Sequence, residues 1–232
     1  MHIPDGYLSP QTYIPLAAAF VTVTAIAVKK VKKEISVKNI PYLGMAAAFS
    51  FIIMMFNLPI PGGTTGHAVG SAVIAIILGP WTATVAVSVA LIIQALIFGD
   101  GGITAIGANC FNMAIFMPFV AFYIFKLFNA NSLNKKRVFF SSFLSGYISL
   151  VLAAVLTAVE FGVQPLIATD PDGKALYCPY DLSISIPAMA IEHLILFGIA
   201  EGIITALIVR YFLKNEPGII HSIQKGVANE NK

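Results

Sequence analysis

The chain has 232 residues, 58% of them hydrophobic and 11% charged, with a formal charge of +3 and a mean hydropathy of +0.85. A soluble domain carries about 25% charged residues, so this composition marks an integral membrane protein with no room for a sizeable soluble domain. No basic patch points to nucleic acid. The two cysteines, Cys110 and Cys178, are too far apart for a C-x-x-C redox or metal motif and read as incidental.

The chain opens Met1-His2-Ile3-Pro4-Asp5-Gly6. A histidine behind a free amino terminus brings an amine, an amide nitrogen and an imidazole within reach of one point. The amine and the His2 amide close a five-membered ring on a metal, and that amide with Nδ1 closes a six-membered ring. Planar nitrogen sets of this kind suit Ni(II) or Cu(II). The competing reading is that His2 is an accident of the start codon. No signal peptide is recognisable, because the basic cluster follows the first apolar span. The bulky His2 is expected to leave Met1 in place.

The first span is expected over Thr12 to Val28 and ends in Lys29, Lys30, Lys32 and Lys33; the second runs from Ile40 to Phe56. Within it, Gly44 and Ala48 are small residues four apart, suited either to packing inside the protein or to a partner helix. Residues Asn57 to His67 are rich in turn formers and read as a loop. The segment from His67 to Leu78 reads as a helix too short to span unaided. Gly79-Pro80 leads into a fourth span ending at Phe98, Gly99-Asp100-Gly101-Gly102 breaks the chain, and a fifth span covers Thr104 to Phe128.

Lys135-Lys136-Arg137 precedes a sixth span, Val138 to Val159. The longest connection, Glu160 to Asp181, carries Asp170, Asp172 and Asp181, with Glu160 at its edge, all read as unburied. The last span, Leu182 to Leu213, is longer than a bilayer needs and holds Pro187, which predicts a tilt or kink.

The expected fold is therefore all-α, with seven transmembrane helices in one membrane domain. Residues 1–11 form an outer amino-terminal segment, 12–214 the bundle and 215–232 a cytoplasmic tail. Placing the amino terminus outside puts thirteen of the fourteen lysines and arginines inside, leaving Lys174 outside. His2 and His67 then share the outer face, and His67 supplies the fourth corner of the chelate. Asp5 is expected to hold His2 or neutralise the site; Asn109, Asn112 and Thr104 are weaker supporting candidates.

His221 reads as solvated tail. Glu192, His193 and Glu201 lie in the last span, either as a relay or as groups that lock helices together. Glu192 and Glu201 fall on opposite helix faces, which argues against a catalytic carboxylate pair, whereas His193 and Glu201 fall nearer one face. Met54, Met55, Met113 and Met117 read as a Cu(I)-binding set or as core. The chain has no phosphate-binding G-x-x-x-x-G-K-[ST] loop, no H-E-x-x-H and no mid-depth lysine in the last span. ATP hydrolysis, zincin chemistry and retinal binding are thereby disfavoured.

Four stretches resemble one family: Met1 to Gly6, Pro61 to Gly70, Gln94 to Asn109, and His193 with Glu201-Gly202. The chain is similar over almost its whole length to NikM/CbiM, the substrate-binding membrane subunit of nickel and cobalt energy-coupling-factor (ECF) transporters. The resemblance implies a prokaryotic plasma-membrane protein that is not an enzyme and that captures Ni(II) or Co(II). Its ligands would be the Met1 amine, the amide and imidazole of His2, and the imidazole of His67. Implied partners are a membrane coupling (T) subunit, two cytoplasmic ABC-type ATPases and a small auxiliary membrane subunit, with Gly44 and Ala48 meeting the coupling subunit. Pro4-Asp5 and Gly66-His67-Ala68 resemble the nickel branch. A more distant alternative is a heptahelical sensor or intramembrane enzyme built on His193, Glu192 and Glu201.

Overall fold

The computed structural model describes residues 1–34, 40–60 and 64–223. Pro61, Gly62, Gly63, Lys38, Lys225 and Lys232, which the sequence reading uses, lie outside the described residues. Helices α1 (Pro10–Glu34) and α2 (Ile40–Met54) are followed by strands β1 (Leu58–Ile60) and β2 (Thr64–Gly66). Next come α3 (Ser71–Leu78), α4 (Pro80–Phe98), α5 (Ile106–Asn129), α6 (Lys135–Gly162) and α7 (Leu182–Asn215).

Among the described residues, α1, α4, α5, α6 with its extension to Ile167, and α7 are long and apolar enough to cross a membrane, and α2 is a shorter apolar helix. Helix α3 has eight residues, about 12 Å at 1.5 Å per residue, and does not reach across a bilayer alone.

Helices α1 and α6 extend further than hydropathy placed them. Lys29 to Lys33 form the last turns of α1, and Lys135 to Arg137 the first turn of α6, where Asn134 Oδ1 accepts from the Lys136 and Arg137 amides at 3.0 and 3.3 Å. Hydropathy ends a span at its charges, but a helix continues until its backbone partners run out. Two expectations need correcting around His67. The stretch before it is an antiparallel hairpin pairing Leu58 with Gly66 and Ile60 with Thr64, and the helix after it begins at Ser71, not at His67.

A third correction concerns Glu160, which is 6% exposed inside α6 instead of lying in the outer connection. Asn112 Nδ2 donates to its Oε2 at 2.9 Å and to Thr157 Oγ1 at 3.0 Å, while Oε1 is buried without a hydrogen-bond partner. Met54, Met113 and Met117 are fully buried core residues, whereas Met55 is half exposed. Cys110 and Cys178 are buried free thiols.

The helix ends sort into two layers. Lys30 lies 4.1 Å from the Trp81 ring, joining the end of α1 to the start of α4, and Arg137 Nε donates to the Phe128 carbonyl at 2.8 Å. The opposite layer gathers residues 1–9, the β1–β2 hairpin and the loop after Phe98. Three helices contain a π-helical turn, over Gln94–Phe98, Phe111–Phe116 and His193–Phe197. Such turns widen a helix locally and are frequent at functional sites. In α7 the widening falls at His193, six residues after Pro187.

Candidate metal centre

Residues 1–9 enter the bundle instead of lying on it. Met1, Ile3 and Leu8 are 1%, 0% and 3% exposed, which removes about 2 kcal/mol worth of apolar surface from water per large side chain. The polar backbone that comes with them is answered on several sides. Ile3 donates to Asn109 Oδ1 at 2.8 Å and accepts from Asn109 Nδ2 at 3.2 Å and from the Gly102 amide at 2.8 Å. The Ser9 amide donates to Gln164 Oε1 at 2.9 Å, and Pro10 then opens α1 at the position where its missing N–H costs nothing.

Gly102 allows the approach: a Cβ there would run into the Asp5 amide and the Pro4 carbonyl carbon. The Asp5 carboxylate accepts from the Ile103 and Thr104 amides at 3.0 and 2.9 Å and from the Thr104 hydroxyl. Those bonds, the Thr104 hydroxyl foremost, hold its carboxyl below the usual range. Asp5 thus ties the amino-terminal turn to the loop before α5.

This anchoring brings Met1, His2 and His67 together. The His2 and His67 rings stack with centroids 4.5 Å apart and 24° between planes, and the Met1 amine donates to the Thr65 carbonyl oxygen. Burial pushes the amine down from 8.0 to about 4, against the opposing pull of the Asp100 and Glu192 charges. Burial likewise lowers His2, and lowers His67 further because the amine and His2 stand beside it. All three are therefore neutral bases with lone pairs at neutral pH.

His67 is fully buried. Its Nδ1 lies 3.0 Å from the Ala68 carbonyl, which sets Nδ1 as the donor and leaves the Nε2 lone pair buried without a hydrogen-bond partner. Among the described residues no three His, Cys, Asp or Glu side chains are grouped to hold a metal. Beside the two imidazoles, the amine of Met1 and the amide of His2 are further nitrogen atoms at this buried point.

The carboxylate beside His2 is Asp100, whose Oδ1 lies 3.1 Å from His2 Nδ1. Burial raises its pKa, but the hydrogen bond and charge of His2 outweigh that and leave it lowered. Asn57 Nδ2 sits 3.4 Å from the other oxygen, and Gln94 also hydrogen-bonds to His2. Sequence reasoning passed over Asp100 and Gln94, although both lie in a stretch singled out for its pattern. The available signal was an acid between glycines on the same side as His2.

Glu201 answers a different need. Its carboxylate is fully buried, with Oε2 accepting from the Val69 amide at 2.8 Å and both oxygens accepting from the Gly70 amide at 3.0 and 3.1 Å. Gly70 has φ of 73°, so consecutive amides point to one spot, and that spot is also the N-terminus of α3. Glu201 thereby holds the His67 segment onto α7. A few residues earlier in α7, the Phe197 ring fills the space where a Cβ on Gly66 would lie. We expect Glu201→Ala to destabilise the fold by about 2–4 kcal/mol, because it strands buried amides. Thermal unfolding in detergent measures this.

His193 is fully buried as expected alongside Glu201; its Nδ1 lies 2.7 Å from the Met189 carbonyl and its Nε2 has no hydrogen-bond partner. Glu192 is half-buried and His221 is exposed. Gly44 and Ala48 lie on the outer face of α2, where nothing stands within 4 Å of a Cβ added at Gly44.

A bundle of long apolar helices closing over a buried nitrogen-lined centre at one end defines a multi-pass membrane protein. Residues 2–219 match the family model CbiM, described as "Cobalt uptake substrate-specific transmembrane region", and the chain belongs to that family of metal transport proteins. It is 49% identical over 222 residues to the "Fused nickel transport protein NikMN" of Rhodobacter capsulatus, covering 95% of this chain but 64% of that protein. It is 31% identical to the "Cobalt transport protein CbiM" of Clostridioides difficile, covering 99% and 90% of the two chains. A crystal structure of a truncated transition metal transporter superposes with a TM-score of 0.88 at 50% identity, covering 92% of this chain and 99% of that one.

Proposed function

We propose that this chain captures Ni(II) on the outer face of a prokaryotic plasma membrane as the substrate-binding subunit of an ECF-type, ATP-driven importer. Co(II) is the alternative cargo. The observation that carries the reading is the burial of a neutral amine, the His2 imidazole and the unpartnered His67 Nε2 at one point. The four donors are the Met1 amine, the His2 amide nitrogen and Nδ1, and His67 Nε2 opposite the amide.

To bind, His2 Nδ1 must give up its hydrogen bond to Asp100, its proton passing to Nε2, so Asp100 competes with the metal for this nitrogen. The charge then balances: with the His2 amide proton released to solvent, Ni(II) and one deprotonated amide carry one positive charge, and Asp100 supplies the counter-charge. Asp100→Asn keeps the shape and removes that charge, and about 10- to 100-fold weaker nickel binding is expected by calorimetry. Asp5 and Asn109 act by holding the amino-terminal segment rather than by touching the metal.

Seven crossings put residues 1–11 outside and 215–232 inside, with the basic ends of α1 and α6 facing the cytoplasm. ATP hydrolysis falls to two separate ATPases working through a coupling subunit that meets α2 at Gly44 and Ala48, with a small auxiliary subunit beside them. A fused relative of which this chain spans only part supports such an assembly. Support for nickel over cobalt comes from the planar donor set and from the nickel-named relative's higher identity. The absorption spectrum of the nickel-loaded protein is the test. A yellow low-spin complex is expected, and a pale green octahedral one removes the amide from the donor set.

A further inference from the structure

At the end of the bundle away from the metal centre, the start of α6 and the end of α7 form two adjoining grooves of about 380 and 470 Å³. Lys135 and Arg210 line both, Lys214 lines the first and Lys136 the second. No carboxylate lines either groove, and among the described residues none of these four cations is in an ion pair. Four positive charges thus converge from two helices, with no ion-pair partner among the described residues.

The groove walls are apolar and face outward. Phe140, Leu207 and Tyr211 are 60%, 54% and 64% exposed, and Phe139 lines the groove beside Phe140. Leu207, Arg210, Tyr211 and Lys214 follow one face of α7 at steps of three and four residues. That face is apolar toward the middle of the helix and basic at its end. The other basic cluster, at the end of α1, differs: Lys32 and Lys33 line neither groove.

We propose that this cleft binds an anionic diacyl phospholipid, its phosphate held by Lys135 and Arg210 and its acyl chains lying against Phe140, Leu207 and Tyr211. A guanidinium presents paired donors to phosphate oxygens, and basic pockets between membrane helices select charged headgroups. The apolar walls distinguish a lipid from a free phosphate, which has no use for them. Placement of this end at a membrane surface rests on the helices that span it, not on the identity of the metal.

The test uses the full chain in detergent, delipidated and titrated with phosphatidylglycerol or phosphatidylcholine, and read by native mass spectrometry and thermal unfolding. One phosphatidylglycerol is expected to be retained and to raise the unfolding midpoint, with phosphatidylcholine at least tenfold weaker. The pair Lys135→Gln/Arg210→Gln is expected to lose tenfold or more of the binding, whereas Lys32→Gln/Lys33→Gln, with the same charge change and no groove, retains it.

These side chains are exposed, and circular dichroism checks the fold. The charge-keeping Arg210→Lys, which lacks the paired donors, is expected to bind phosphatidylglycerol more weakly than the parent but still in preference to phosphatidylcholine, with an unchanged unfolding midpoint in the absence of lipid. Equal losses in the two glutamine pairs, equal binding of the two lipids, or inorganic phosphate matching phosphatidylglycerol overturns the proposal. So does protection of Lys135 from amine labelling by partner subunits when lipid gives none.

Discussion

Adding a single glycine before Met1 is expected to abolish nickel binding while leaving the protein folded. The extension converts the amine into a peptide nitrogen, which removes one of the four proposed donors and opens the five-membered chelate ring. It also introduces a residue where Met1 is 1% exposed and its amine already touches the Thr65 carbonyl. Losing the amine and its chelate ring is expected to cost about 4 kcal/mol, or a thousandfold in affinity. Calorimetric titration with intact-mass analysis of both amino termini reads the result, and thermal unfolding shows that the bundle survives. Normal nickel affinity that still depends on His67 in the extended protein sinks the chelate, whereas His67-independent binding by the new Gly-Met-His terminus does not.

The second large effect is expected at His67. His67→Ala removes the Nε2 donor from a buried corner that water cannot fill as a rigid ligand, and should weaken nickel binding at least about a hundredfold, or some 3 kcal/mol. His193→Ala should cost much less. Its Nδ1 is committed to the Met189 carbonyl, and its ring packs 5.3 Å from Phe197, whose own ring rests on Gly66. Its influence reaches the centre through packing against the hairpin. A larger loss at His193 than at His67 would shift the reading to a site built on α7. With Glu201 already bound to the Val69 and Gly70 amides, that site would have to work without it.

The two variants bear on why the supporting residues were harder to read than the proposed donors. Met1, His2 and His67 carry recognisable chemistry: an amine and two imidazoles, aligned by the distribution of lysines and by a family pattern. Asn109 was visible as a candidate only by position. Its two bonds to Ile3 depend on α5 passing beside the inserted amino terminus. Asp5 and Asp100 illustrate the same limit. Proximity in sequence favoured Asp5 as the carboxylate near His2, but the turn at Gly6, with φ of 81°, accompanies an Asp5 carboxylate bound to the Ile103–Thr104 loop, while Asp100 takes the place beside the ring.

Glu160 and Glu201 show that a charged residue near a helix end cannot be assigned to the surface or to chemistry from composition. One is buried beside Asn112, and the other gathers the amides at the start of α3.

The sequence by itself determined the membrane class, the apolar helical spans, the basic end of the bundle and the residues able to donate nitrogen. Each of these follows from local quantities: runs of apolar side chains long enough to cross hydrocarbon, charges that stop them, and the intrinsic chemistry of an amine and imidazoles. Only the tertiary structure decided that residues 1–9 enter the bundle, that His67 lies on an extended segment between a hairpin and α3, and which carboxylate faces which group. Those outcomes depend on backbone amides and carbonyls finding partners more than ninety residues away, as Ile3 does at Asn109 and Val69 at Glu201. A buried polar group must be satisfied by whatever the fold brings to it, and the identity of that partner is not written in its neighbours along the chain.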